Sequence, residues 1–272
     1  MFSVGLDVDT RAYFTAATDA NSFNKTLSVI APLLFFQDEN IKKQKKNYVE
    51  KEITIWNPLG WSMMSNKSQL SYTSRNMYKL TLKAERIIIG LMLSDGWMQK
   101  RGHWNPRFAL KQSIKNYPYL MNTHYHLAYL CSGFPFWGKS KLRNKLFYCL
   151  TFYTRQLSCL TEIFHLFYKL DGKKYIRCLN EDLFNYMDYT VLAHWIQGDG
   201  NKHRKGLVLN TQGFTLKEEI FLMNILIYKF KITPSLQNDR GNYIIYIKGK
   251  DLSMLKPHIL PFFVEHFLYK LG

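Results

Sequence analysis

IIGLMLSDG at Ile88–Gly96 and LAHWIQGDG at Leu192–Gly200 are the stretches that decide the fold. Each is an apolar run that ends in an acidic residue and a glycine. Asp95 and Asp199 hold the same place in each, 104 positions apart. A single apolar helix ending in Asp-Gly is what any buried helix can look like. A matched pair is different: two similar halves that pack these helices together bring one carboxylate from each half to a shared site. Two carboxylates at one site point to divalent metal and to phosphodiester chemistry.

The rest of the chain past Lys83 repeats around these runs. In the first half, the apolar helix Ala84–Asp95 is followed by a strand, RFALKQ (Arg107–Gln112), and a helical stretch, Tyr117–Cys131. The aromatic and β-branched LFYCLTFY (Leu146–Tyr153) reads as a strand, and Leu157–Leu170 has apolar residues at helical spacing. The second half gives the helix Leu192–Asp199, a strand at Leu207–Gln212 and an amphipathic helix at Leu216–Phe230. A strand at Asn242–Gly249 follows, then a helical region, Leu252–Leu271, broken by Pro257 and Pro261. Both halves end in YKL, at Tyr168–Leu170 and Tyr269–Leu271, and Gln112 and Gln212 close strands that read as equivalent. Each half is an α/β unit that cannot bury its apolar helix alone. Gly90 and Ala193 would let the two helices approach closely.

With 272 residues, 47% of them hydrophobic, the chain can bury a sizeable core. The formal net charge of +17 points to a polyanionic partner through phosphate neutralisation and counterion release. Cys131, Cys149, Cys159 and Cys178 form no CxxC and read as reduced thiols rather than a zinc site or a disulfide framework. His124 and His126 make a lone H-x-H better suited to packing or surface roles than to metal. No apolar run is long enough to span a bilayer, so no membrane partner is expected.

The N-terminal quarter reads differently. MFSVGLDVDTRAYFTAAT (Met1–Thr18) has the pattern of neither a signal nor a transit peptide. It resembles a segment of cytochrome c oxidase subunit 1, without that protein's copper ligands. Such an arrangement implies a reading frame that starts in an oxidase exon and runs into an intron, hence an organelle-encoded, mitochondrial protein. Residues 19–82 read as a polar linker, partly disordered, with the charge-dense IKKQKKNYVEKE (Ile41–Glu52) inside it and APLLFF (Ala31–Phe36) as an apolar exception that would suit a short docking helix. Residues 83–180 and 181–272 then form the first and second repeats.

From Lys83 on, the sequence is similar to the LAGLIDADG homing endonucleases in their single-chain, two-motif form, and most like the omega-intron branch. The likeness covers the paired motifs and is densest in LVLNTQGFTLKEE and YIIYIKGKDLSMLKPHILP before the terminal YKL. This resemblance implies an α+β fold of two pseudo-twofold-related repeats. Each repeat would be a curved antiparallel sheet with helices, joined through the two motif helices to make a basic saddle over the DNA major groove. It implies a monomeric, site-specific endonuclease that makes double-strand breaks at a long asymmetric site and so mediates intron homing. The oxidase-like start points to the intronless oxidase gene as target. Asp95 and Asp199 would hold Mg²⁺ (or Mn²⁺), with the backbone carbonyls of Ser94 and Gly198 as extra ligands. By the same likeness, Lys270 and, in DGKKYI, Lys174 rather than Lys173 would stabilise charge or organise water. Gln112 and Gln212 would hold water or phosphate near the acids, or simply pack at strand ends. Candidates for DNA contact are Arg107, Lys111, Lys145, Lys202, His203, Arg204, Lys205, Asn210, Gln237, Asn238, Arg240 and Lys248, since Arg and Lys can read guanine and Asn and Gln adenine, while others hold phosphates.

Three departures stand out. His194 sits where the idealised motif has glycine. Gly198 replaces a second acid found in the omega-intron branch. The bulky Trp97 follows the first Asp-Gly. An RNA maturase that helps its own intron fold would use the same scaffold and charge but would not need the two acids. A basic structural protein of an organelle ribonucleoprotein would explain the charge and leave the acids unexplained.

Overall fold

A computed structural model describes residues 70–142, 145–239 and 241–272, with side chains at 140–142 and 145 outside that description. The oxidase-like peptide, APLLFF and the charge-dense run therefore lie outside the described residues. So do Arg240 and the side chain of Lys145.

The chain enters through a short helix α1 (Tyr72–Met77) and then α2 (Leu82–Met92), so the end of the stretch read as polar linker is helical. Tyr78 and Leu80, between them, pack against the core. Thr81 caps α2, its hydroxyl accepting from the Ala84 amide at 3.1 Å. The first hairpin follows, β1 (Gly96–Gln99) and β2 (Arg107–Ser113), then α3 (Tyr117–Leu127). A second hairpin, β3 (Phe136–Leu142) and β4 (Lys145–Tyr153), leads to α4 (Thr161–Phe167). A small hairpin, β5 (Tyr168–Asp171) and β6 (Lys174–Arg177), and the short α5 (Leu183–Tyr186) connect to the second half.

That half repeats the order: α6 (Tyr189–Asp199), β7 (Gly200–His203), β8 (Gly206–Leu209), α7 (Leu216–Phe230), β9 (Ser235–Asp239), β10 (Asn242–Ile247) and α8 (Gly249–Ile259). Asp188 caps α6 through the Val191 amide at 2.9 Å. Thr215 and Glu218 form a reciprocal capping box at the start of α7. The two four-stranded sheets are antiparallel and share one strand order, β1-β2-β4-β3 and β7-β8-β10-β9. Within each, the second strand of each hairpin lies at the centre and the first at the edge.

Strand alternation sets two faces per sheet. Phe108, Leu110, Leu150 and Phe152 of the first sheet, and Leu207, Leu209, Ile245 and Ile247 of the second, are 0–1% exposed and join the helices in one core. The motif helices α2 and α6 lie against each other at its centre. A Cβ on Gly90 would stand 2.6 Å from both the Val191 carbonyl oxygen and the His194 Cβ, so the crossing needs glycine there. The structure thus pairs Gly90 with the large His194 of the other helix. His194 is buried, and burial holds its imidazole neutral, with a pKa lowered to about 3. Its Nδ1 lies 3.2 Å from the Tyr119 hydroxyl.

The expected helix Leu252–Leu271 ends earlier. α8 stops at Ile259, Pro261 lies in a 3₁₀ turn, and Glu265–Leu271 forms a second 3₁₀ segment. The two YKL strings also part company: Tyr168–Leu170 lies in strand β5, whereas Tyr269–Leu271 lies in that final 3₁₀ segment. Among the described residues, no helix is long and apolar enough to cross a membrane.

Candidate active site

The C-terminal ends of α2 and α6 carry the two acids. Asp95 stands exposed in the turn just past α2, and Asp199 is the half-buried last residue of α6. Gly198 makes the juxtaposition possible, because a Cβ there would collide with Ser94 and come within 3.4 Å of the Asp95 carboxylate. The Asp95 side chain therefore lies directly beside the second motif. Two carboxylates at the negative ends of two helix dipoles make a strongly cation-seeking spot.

The electrostatics carry that imprint. Burial, followed by repulsion from Asp95, raises the Asp199 pKa to about 7 against the opposing pull of Lys270 and Arg177. Lys270 is 5% exposed. Its ammonium donates to the Gln197 carbonyl at 2.6 Å and to the Gly198 carbonyl at 3.1 Å. Burial lowers its pKa to about 8, with both acids opposing the shift. The terminal segment is held down rather than frayed. Gln197 donates to the Phe262 carbonyl and accepts from the Val264 amide at 2.8 Å, anchoring the chain that delivers Lys270.

In the first half the structure brings Arg177, not Lys174, to the motif helix. Arg177 Nη2 donates to the Met92 carbonyl at the end of α2, at 2.7 Å. Lys174 lies exposed at the start of β6, beside the hairpin turn. The structure puts Tyr168–Leu170 in this hairpin rather than at a helix end, and the Asp171–Gly172 pair, with Gly172 at φ 59°, is a turn signal that could have found it. Gln112 donates to Asp95 Oδ2 at 2.7 Å, and its own oxygen accepts from Asn116 at 2.9 Å. Gln212 is elsewhere: β8 ends at Leu209, and Gln212 is exposed and bonded to Asp239 at 3.1 Å. Gly96 pairs with Leu110 and Gly200 with Leu209, so the residue at the Gln112 position in the second half is Thr211.

Two residues touching the site carried no sequence signal, Arg177 and Asn116; Gln197 lies inside the second motif without a role read for it, and Asn210 stood only as a candidate for DNA contact. Asn210 donates from both its backbone and its side-chain nitrogen to the Asp199 carbonyl, at 3.2 and 3.0 Å. It therefore braces the end of α6. The other DNA-contact candidates distribute as follows. Arg107 and Lys111 lie on the face of the first sheet away from the helices, opposite Gln99 and Thr151 in register. His203 lies on the matching face of the second sheet, edge-on to Tyr246, and Gln237 lies opposite Ile244 there. Arg204 and Lys205 occupy the exposed β7–β8 turn. Lys202 runs alongside Gly272, Asn238 accepts from the Gly241 amide, and Lys248 stands at the N-cap position of α8 without a side-chain capping bond.

The donor set fits a hard divalent cation in part. Among the described residues there is no cluster of three or more His, Cys, Asp or Glu able to cage a metal. Mg²⁺ asks for less: one or two carboxylates, with waters and substrate phosphates completing the shell. Asp95 and Asp199 meet that requirement, and the raised Asp199 pKa records a repulsion that a cation would relieve. The Ser94 hydroxyl is turned back on the Gly90 and Leu91 carbonyls, and the Gly198 carbonyl already accepts from Lys270.

Residues 85–255 match the LAGLIDADG DNA endonuclease family, and the chain belongs to that family. It has the α+β homing-endonuclease fold. The homing endonuclease I-WcaI bound to its DNA recognition sequence superposes with a TM-score of 0.65 at 24% identity, over 72% of this chain and 88% of that one. A probable intron-encoded endonuclease of Wickerhamomyces canadensis is 30% identical over 69% of this chain and 83% of its own length. The cytochrome b mRNA maturase bI2 of Saccharomyces cerevisiae is 29% identical over 77% of this chain. The match spans about half of that maturase, 51% of its length.

Proposed function

We propose that this chain is a site-specific double-strand DNA endonuclease that mediates intron homing by Mg²⁺-dependent (or Mn²⁺-dependent) phosphodiester hydrolysis in the mitochondrion. Its target would be the intronless cytochrome c oxidase subunit 1 gene, and it would act as a monomer. The observation that carries this reading is the meeting of Asp95 and Asp199 at the ends of two packed motif helices.

Bound metal would supply an activated water and neutralise charge on the phosphoryl oxygens. Asp95 and Asp199 would hold it, each carboxylate serving mainly one DNA strand. Gln112 orients the Asp95 carboxylate, and Asn116 fixes the amide of Gln112. Lys270 and Arg177 place positive charge at the two helix ends, where a phosphate would approach. In this reading Arg177 takes the first-half role that sequence likeness gave to Lys174. The exposed faces of the two sheets, with Arg107, Lys111, His203 and Gln237, would lie along the duplex.

The test is cleavage of a duplex spanning the joined oxidase exons, with Mg²⁺ present. Specific cutting that disappears in Asp95→Asn and Asp199→Asn supports the reading; equal cutting by those variants overturns it. A second reading, a maturase for its own intron, draws on the similarity to the yeast cytochrome b maturase. Tight intron RNA binding without any DNA cutting would favour it.

A further inference from the structure

Lys270 and Arg177, the cations that the structure brings to the motif-helix ends, each rest on an aromatic ring. The Lys270 ammonium lies 4.5 Å from the centre of the Phe267 ring. Both belong to the final 3₁₀ segment, whose repeat lines up residues three apart. The Arg177 guanidinium lies 5.0 Å from the centre of the Phe214 ring, in the loop between β8 and α7. Each cation also donates to helix-end carbonyls, Lys270 on α6 and Arg177 on α2. The carbonyls fix one side of each charge. The ring face, negative at its centre, fixes the other.

These seats cross between the halves. Phe214 belongs to the second half and carries the first-half cation. Phe267 is backed by Tyr119 of the first half, edge-on with centroids 5.0 Å apart and planes at 62°. Tyr119 is fully buried on α3, and its hydroxyl lies 3.2 Å from His194 Nδ1. His194, the large residue that departs from the idealised motif, thus anchors the ring behind Phe267. The seats also differ in burial. Phe267 and Lys270 are buried, whereas Phe214 is half-buried and Arg177 exposed. A desolvated cation–ring contact is the stronger kind.

We propose that Phe267 and Phe214 are positioning residues that hold these two cations at their helix ends, so that each ring sets the rate at which one DNA strand is cut. This assignment rests on the nuclease reading and names what aims its charges. Cation placement matters because a shift of about 1 Å in a reacting site can cost a hundredfold in rate.

The test uses the full chain in Mg²⁺, under single-turnover conditions with enzyme saturating, on the exon duplex labelled separately on each strand. Lys270→Met and Arg177→Ala identify the strand that each cation serves. Phe267→Leu should slow the Lys270 strand about tenfold, the scale of a desolvated cation–ring contact, and leave the other within about twofold. Phe214→Leu should slow the Arg177 strand about threefold, the scale of an exposed contact. Phe152→Leu removes a core ring packed on Phe108 and His124, and should leave the strand ratio at its wild-type value. A general loss of packing slows both strands together, so the ratio separates aim from stability. Equal slowing of both strands in Phe267→Leu or Phe214→Leu, or no slowing in either, would overturn the proposal. A second measurement needs no cutting. Trace acetylation in EDTA, read by mass spectrometry, compares Lys270 with the exposed Lys217. Lys270 labelling should rise severalfold in Phe267→Leu and stay at the wild-type level in Phe152→Leu. Unchanged Lys270 labelling in Phe267→Leu would overturn the proposal whether or not the chain cuts DNA. A wild-type chain that cuts neither strand counts against the nuclease reading, and the labelling still decides whether Phe267 seats Lys270.

Discussion

The two halves reach one chemical arrangement by different local routes. In the second half the YKL lysine, Lys270, is buried and bonded to the end of α6. In the first half the same string lies in strand β5, its lysine, Lys169, is exposed, and the cation at the end of α2 is Arg177, eight positions later. The carboxylates differ too. Asp95 is exposed and steadied by Gln112, whereas Asp199 is half-buried, braced by Asn210 at its backbone and pushed up in pKa. A repeat that keeps its topology can thus relocate each supporting group, provided a cation and a carboxylate still arrive at each helix end.

The acids are the elements both halves share, so their loss should be the largest effect. Asp95→Asn and Asp199→Asn should each lower the rate of target cleavage by at least ~10³-fold, the scale of removing a preorganised charge-stabilising group. Single-turnover kinetics on both strands would check this, and near-wild-type cutting by either variant would break the comparison at its root. Next is the helix crossing. Gly90→Ala should destabilise the fold by about 1–3 kcal/mol through overpacking against His194 and Val191, read by urea denaturation. The same change at Gly213, whose Cβ would meet nothing and whose φ is not positive, is the internal control for space alone.

The cations give the sharpest contrast between the halves. Lys270→Met should cost on the order of 10²-fold in cleavage rate, within the range for positioned polar groups in catalysis. Arg177→Ala should cost roughly 10-fold, less because its side chain is more open to solvent, and Lys174→Ala should stay within about twofold, as for a solvated surface charge. Equal losses at Lys174 and Arg177 would restore the likeness-based assignment and remove Arg177 from the site.

Much of this arrangement could be read from sequence, and the parts that could not share a physical cause. The paired apolar runs located the motif helices, and α7 was legible at its start because TLKE caps it there. The strands found by reading, β2, β4, β8 and β10, are the central ones, covered by the helices and therefore apolar on the core face. Within the two four-stranded sheets the strands missed, β1, β3, β7 and β9, are edges; the β5–β6 hairpin was missed as well, because Leu157–Leu170 reads at helical spacing through to its end. GNKH and SLQND carry polar residues and glycine because an edge strand needs little apolar surface and must avoid pairing with other chains. The Gln112–Gln212 equivalence failed by one position because the loop between the paired strands is longer in the first half, seven residues between β1 and β2 against two between β7 and β8. Arg177 was invisible because its bond to the end of α2 is made by a hairpin that folds back onto that helix, a tertiary fact without a local pattern.

The smallest expected effect is a pH dependence that separates the two acids. Asp199 has a folded-state pKa of about 7, above its ordinary value of 3.8, from burial and from Asp95. A raised acid pKa means the folded state holds the proton more tightly than the unfolded chain does. The resulting stability is full below about pH 4 and is lost as pH climbs through 7. In EDTA, wild-type melting temperature should therefore fall by a few degrees between pH 5 and pH 8 relative to Asp199→Asn. Asp95→Asn should show a weaker fall than wild type, since removing the neighbouring charge removes one cause of the shift. Metal works in the opposite sense. Divalent cation competes with the proton on Asp199, so half-saturating Mg²⁺ should drop as pH rises through 7. A flat wild-type profile in EDTA that coincides with Asp199→Asn would mean the two carboxylates do not feel each other, and the meeting of the motif helices would lose its chemical consequence.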